Sequence, residues 1–70
     1  MEDLKKILGS KVKALRLSYG DTLPALCNGI NVSYTALYRA ETGTNRNLID
    51  YIPLYLDYYG ISLEDLIKNY

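Results

Sequence analysis

The sequence predicts an all-α domain built from five short helices. Three observations carry this. Apolar residues recur at three- and four-residue spacing near the start of the chain, no segment alternates apolar and polar residues for long, and capping residues or glycines cut the chain into short helical pieces. With 70 residues, 49% of them apolar, the chain reads as a single domain over 1–70, with a core that is real but small.

The first helix is expected over 3–18, where Leu4, Leu8, Val12, Leu15 and Tyr19 share one face with Ile7 beside them and lysines opposite. Gly9 within it costs about 1 kcal/mol relative to alanine, which predicts fraying of the first turns, and Gly20 ends it. Thr22 caps a second helix that tolerates Pro24 in its first turn. The segment Asn28-Gly29-Ile30-Asn31 is expected to break that helix, since Gly29 and Asn31 both accept left-handed backbone. Ser33 caps a third helix running to Thr42, with Leu37 and Ala40 inward and Gly43 as the stop. Pro53 argues against a fourth helix that starts as early as Asn47, so Asp50 is the expected cap and 51–59 the expected helix. Gly60 closes it, and Ser62 followed by Asp65 opens the fifth, Leu63 to Asn69. Helices two and three, joined by a tight turn, form a helix-turn-helix arrangement.

Composition removes several functions. There is no histidine, only one cysteine, no glycine-rich phosphate loop and no pair of acids in a pocket that a chain this short could enclose, so neither an enzyme nor a metal or cofactor site is expected. No apolar run reaches the roughly 18 residues of a membrane span, and no signal segment follows the charged start, so a cytoplasmic protein without a membrane role is expected. The net charge is zero, but unevenly spread. Residues 5–46 carry Lys5, Lys6, Lys11, Lys13, Arg16, Arg39 and Arg46 against Asp21 and Glu41, an excess of five positive charges. Residues 50–70 carry Asp50, Asp57, Glu64 and Asp65 against Lys68, an excess of three negative charges. A basic front and an acidic back suit docking on a polyanion by one face, or are simply a mixed surface.

The stretches from Leu8 to Arg16, from Gly20 to Gly43 and from Leu56 to Ile67 together resemble the lambda-repressor/Cro-like helix-turn-helix family, also called XRE-type. The specific part is the spacing from the Thr22 cap, through the turn, to Glu41 and Gly43. The resemblance implies a compact five-helix lambda-repressor-like domain that acts as a sequence-specific DNA-binding transcriptional regulator. It would be a repressor of bacterial, phage or mobile-element type, working as a homodimer on a pseudo-palindromic operator in double-stranded DNA, with no small-molecule ligand evident. The helix over 33–42 would lie in the major groove. Tyr34, Thr35, Tyr38 and Arg39 are then the base-contacting candidates: arginine suits guanine acceptors, and threonine and aromatic rings suit thymine methyls. Thr22, Ser33, Thr42, Thr44, Asn45 and Arg46 are the backbone-contacting candidates, with Lys11 or Lys13 in reserve. The alternative for the tyrosines is hydrophobic filler, since the chain has eight tyrosines and no Phe or Trp.

Three positions depart from the family pattern. Leu23 stands where relatives carry a polar phosphate contact, Asn31 replaces the turn glycine, and Cys27 replaces a small alanine and reads as a buried spacer. Arg16 and Glu41 match a partly buried ion pair of relatives, unless both are solvated surface charges. Tyr51, Tyr55, Tyr58 and Tyr59, on a helix apolar on nearly every face, either form a dimer interface or close the core. A module of the same fold that binds another regulator instead of DNA is the competing function.

Overall fold

A computed structural model describes residues 4–70. Among them are five helices and no strand: α1 (Leu4–Ser18), α2 (Leu23–Ile30), α3 (Tyr34–Thr42), α4 (Leu48–Tyr59) and α5 (Leu63–Asn69). Asp3, the expected first residue of α1, lies outside the described residues. The Cα radius of gyration is 10.9 Å, close to the value of about 11 Å for a compact chain of this length. No described helix is long and apolar enough to cross a membrane.

Local chemistry sets most boundaries. The Thr22 hydroxyl accepts from the Ala25 amide at 3.3 Å, the Ser33 hydroxyl from Ala36 at 3.3 Å, and the Ser62 hydroxyl from Asp65 at 3.1 Å, so three of the five helices begin on a side-chain cap. Helices α2, α3 and α4 end where Asn31, Gly43 and Gly60 turn left-handed, with φ of 57°, 78° and 69°.

Two boundaries differ from expectation. Gly29 stays helical, and α2 continues through Ile30 to the left-handed Asn31. The end of the exposed Tyr58 side chain lies over Gly29: a Cβ there would stand 2.7 Å from the ring. Helix α4 starts at Leu48, three residues before the expected start, with Pro53 inside it and no side-chain cap on Asn47. Pro53 deprives only the Ile49 carbonyl of its intrahelical donor, and Ile49 is an exposed first-turn residue that water can serve. Leu48 is fully buried and holds that first turn on the core.

Val12, Leu15, Leu26, Leu37, Ala40, Leu48, Tyr55 and Leu66 form the centre of the core, with Leu23, Cys27 and Ile52 at its edge. The expected apolar face of α1 only partly enters it. Leu8 is half-buried, whereas Leu4, Ile7 and Tyr19 are exposed. The residue that brings α1 onto α3 is Gly9. It is buried, and a Cβ at this position would stand 2.5 Å from the Ala40 carbonyl oxygen and 2.9 Å from that of Glu41. Gly9 is therefore a contact point between two backbones, not a frayed turn. This has a measurable consequence of definite sign. If Gly9 were only a weak helix former, Gly9→Ala would raise the melting temperature, because alanine is the better helix former by about 1 kcal/mol. The contact with α3 predicts the opposite: overpacking against backbone costs about 1 to 3 kcal/mol, and thermal denaturation of Gly9→Ala will show a lower midpoint.

Candidate nucleic-acid interface

Helix α3 is held from behind by a buried polar network. Arg16, on α1, meets Glu41, on the last turn of α3, in a two-pronged ion pair: Nε donates to Oε2 at 2.8 Å and Nη2 to Oε1 at 2.9 Å. The third nitrogen, Nη1, donates to the Asp21 carbonyl at 2.8 Å. The Tyr55 hydroxyl, from α4, donates to Glu41 Oε2 at 2.7 Å. The Arg16 and Glu41 side chains are only 8% and 4% exposed, so both charges are out of water and paired. The Glu41 hydrogen bond holds the Arg16 pKa above its ordinary value against the opposing effect of burial. Around this pair, the Tyr59 hydroxyl donates to Asp21 Oδ2 at 2.8 Å and its ring stacks on Tyr19 with centroids 4.7 Å apart. Among the described residues, no buried side-chain nitrogen or oxygen lacks a partner.

The front of α3 faces solvent. Leu37, Ala40 and Glu41 point inward, which leaves Tyr34, Thr35, Tyr38, Arg39 and Thr42 on one exposed arc. Tyr34 and Tyr38, one turn apart, are each 53% exposed, and their rings lie nearly parallel with centroids 6.2 Å apart. They form one wall of an open cleft of about 540 Å³, closed by Lys13 and Leu17 of α1 and by Thr22 and Pro24 at the start of α2. Arg39 borders the arc on the other side, sharing a polar cleft of about 280 Å³ with Thr44, Asn45, Arg46 and Asn47. Helix α3 thus carries aromatic surface on one flank and positive charge on the other.

The backbone-contacting candidates divide by their hydrogen bonds. Thr22 and Ser33 use their hydroxyl oxygens to accept a capping amide, which leaves each O–H free to donate outward. Thr42 donates its hydroxyl back to the Tyr38 carbonyl at 3.0 Å and lies 3.2 Å from the Thr44 hydroxyl, so these two serve the end of α3. Asn45 is a bracket for the loop: Nδ2 donates to the Ala36 carbonyl at 2.9 Å while Oδ1 accepts from the Asn47 amide at 2.8 Å. Leu23 is buried at the edge of the core. Lys11 is committed as well, donating to the carbonyls of Ile67 and Tyr70 at 2.9 and 2.8 Å. Among the described residues, Arg39 and Arg46 make no ion pair. Cys27 is buried, and burial pushes its thiol pKa up, as suits a spacer between helices.

The four tyrosines of α4 differ in burial. Tyr55 is completely buried and bonded to Glu41, so it offers nothing to a partner. Tyr51 and Tyr59 are half-buried and pack on the core. Tyr58 is exposed at 46%, but its ring lies over Gly29. Tyr51, Tyr55 and Tyr59 close the core, and the hydroxyls of Tyr55 and Tyr59 are hydrogen-bonded to Glu41 and Asp21.

No family model, curated protein or solved structure matches the chain. Among the described residues no group of three or more His, Cys, Asp or Glu side chains could hold a metal ion.

The network predicts two behaviours. Glu41→Ala leaves the Arg16 charge and the Tyr55 hydroxyl buried without their partner, at a cost of about 3 to 5 kcal/mol. That equals the whole margin of a domain this small, and circular dichroism will show a largely unfolded chain. The second concerns alkaline pH. Burial, then the bonds to Glu41 and Asp21, raise the Tyr55 and Tyr59 pKa values above the ordinary value near 10. The folded state therefore favours the protonated phenols: their contribution is intact below about pH 10 and is lost as pH rises beyond it. Melting temperatures measured at increasing pH will fall above that point, and less steeply in Tyr55→Phe.

Proposed function

We propose that this chain is a sequence-specific DNA-binding regulator of the lambda-repressor/Cro-like type, with α2, the turn through Asn31 and α3 as its helix-turn-helix. The observation that carries the reading is the exposed arc of α3, where Tyr34, Thr35, Tyr38 and Arg39 stand together on a helix fixed from behind by Arg16 and Glu41. A helix presented in this way fits the major groove, whose base edges offer acceptors to Arg39 and thymine methyls to Thr35 and the two rings. The amides of Tyr34 and Thr35, in the first turn, have no carbonyl within their own helix. With the hydroxyls of Thr22 and Ser33 and the guanidinium of Arg46, they supply contacts to the phosphate backbone. Such a protein acts by occupying its operator as a homodimer and needs no cofactor.

A second reading is that the same face binds another protein. The cleft beside Tyr34 and Tyr38, with Leu17 and Pro24 in its walls, favours it, because half-exposed tyrosines are common anchors of protein interfaces. Salt separates the two, since binding to duplex DNA weakens steeply with ionic strength.

The two free arginines test the reading directly. Arg39, on the helix, can reach a guanine edge, whereas Arg46, in the loop after it, reaches backbone. Arg39→Ala will cost about 1 to 3 kcal/mol at the cognate site and relax preference at one base pair, while Arg46→Ala will weaken all sequences alike and lower the salt slope by about one unit. Affinities for cognate and scrambled duplexes across a salt series measure both. An unchanged cognate-to-scrambled ratio in Arg39→Ala removes base reading through that residue, and absence of duplex binding at low salt transfers the site to the protein-binding reading.

A further inference from the structure

The exposed arc of α3 lacks the side chains that read most bases by hydrogen bonds. Asparagine and glutamine suit adenine, and carboxylates suit the amino group of cytosine. Tyr34, Thr35, Tyr38, Arg39 and Thr42 include none of these, and Thr42 turns its hydroxyl back to the Tyr38 carbonyl. What remains is one guanidinium and an apolar surface. Helical geometry sets the order around the arc as Tyr34, Tyr38, Thr35 and Arg39, so the threonine methyl continues the surface of the two rings up to the arginine. The rings are half exposed and nearly parallel, with 12° between their planes, and Leu17 and Pro24 line the same cleft. We infer, on the basis of the DNA-binding proposal, that the target of this face is a C5-methylated pyrimidine beside a guanine, and that 5-methylcytosine serves there as well as thymine, so that cytosine methylation strengthens binding.

The chemistry of the base edges leads to this target. In the major groove the apolar group on offer is the C5-methyl of thymine, and cytosine presents the same group only when methylated at that carbon. An unmethylated cytosine leaves the rings without the atoms that would fill the contact. Thymine and 5-methylcytosine differ at C4, where one carries an accepting oxygen and the other a donating amino group. The hydroxyls of Thr35, Tyr34 and Tyr38 both donate and accept, so none of them separates the two. Arg39 stands at the end of the apolar surface, so the guanine that suits it lies next to the methylated pyrimidine. A thymine beside guanine and a 5-methylcytosine beside guanine then present the same methyl and the same guanine acceptors to α3.

The full chain and duplexes of the sequence it selects from a random pool supply the test. In each half-site the thymines are replaced one at a time by uracil, which pairs identically and lacks only the methyl. Removal of the methyl that meets the rings will weaken binding about fourfold. In a second series the thymine beside the guanine is changed to cytosine, with and without C5 methylation, and the methylated duplex will bind about fourfold more tightly than the unmethylated one. Replacing Tyr34 and Tyr38 together by alanine will shrink both differences, whereas phenylalanine at both positions, which keeps the rings, will preserve them. Circular dichroism will show both variants folded, because the two side chains are half exposed. Sequence-selective binding that is indifferent to uracil and to cytosine methylation overturns methyl reading alone and leaves the DNA-binding proposal standing. A selected half-site without a thymine beside a guanine overturns it too, as do alanine variants that keep the full methyl dependence. A chain that binds no duplex overturns both proposals.

Discussion

Arg16 and Glu41 join α1 to α3 through two parallel hydrogen bonds, and the rest of the architecture is arranged to let them do so. Two charges withdrawn from water are tolerated only when every donor and acceptor is matched. Here Tyr55 fills the remaining position on Glu41, and the Asp21 carbonyl takes the last Arg16 nitrogen. The first of these contacts brings in α4, and the second fixes the turn between α1 and α2. Gly9 is the steric counterpart of the pair, since only a residue without a Cβ lets the two backbones approach closely enough. One interaction thereby sets the positions of three helices and a turn.

The functional reading follows from what the network consumes. Arg16 is paired with Glu41, and Lys11 donates to the carbonyl end of α5, so two of the seven cations of residues 5–46 are held internally although the excess of charge is unchanged. On the α3 side, Arg39 and Arg46 on one flank and Lys13 beside Tyr34 and Tyr38 on the other make no ion pair among the described residues. A reader of DNA with so few phosphate contacts gains little from counterion release. It must draw on fitted contacts to bases, for which paired tyrosines and a threonine on a rigid helix are suited, and on doubling its contacts through a second copy.

Much of the fold was legible because it rests on local chemistry. The caps at Thr22, Ser33 and Ser62 and the left-handed stops at Asn31, Gly43 and Gly60 are decided within four residues of where they act. The outward set on α3 was equally legible, since helical periodicity alone separates Leu37 and Ala40 from Tyr34, Thr35, Tyr38 and Arg39. What was not legible depends on residues far apart in the chain. Gly9 looked like a weak point of α1 because its reason lies on α3. Gly29 reads as a helix breaker in sequence, yet the helix runs on to Asn31, whose left-handed backbone supplies the stop. Tyr55 stayed open between a dimer interface and the core because nothing near it in sequence shows that Glu41, 14 positions earlier, needs a donor. Pro53 was given too much weight, because the carbonyl it leaves without a partner is at an exposed first turn and the burial of Leu48 was not visible.

Reading of DNA sequence by the exposed arc of α3 is the proposal on which the function rests. Selection of binding sites from a pool of random duplexes, with the intact chain at low salt, tests it most directly. Enrichment of a pseudo-palindrome whose half-sites are about one helical turn apart is expected, with the conserved positions of each half-site lost when Tyr34, Thr35, Tyr38 and Arg39 are replaced together. A folded chain that enriches no sequence over successive rounds would contradict it.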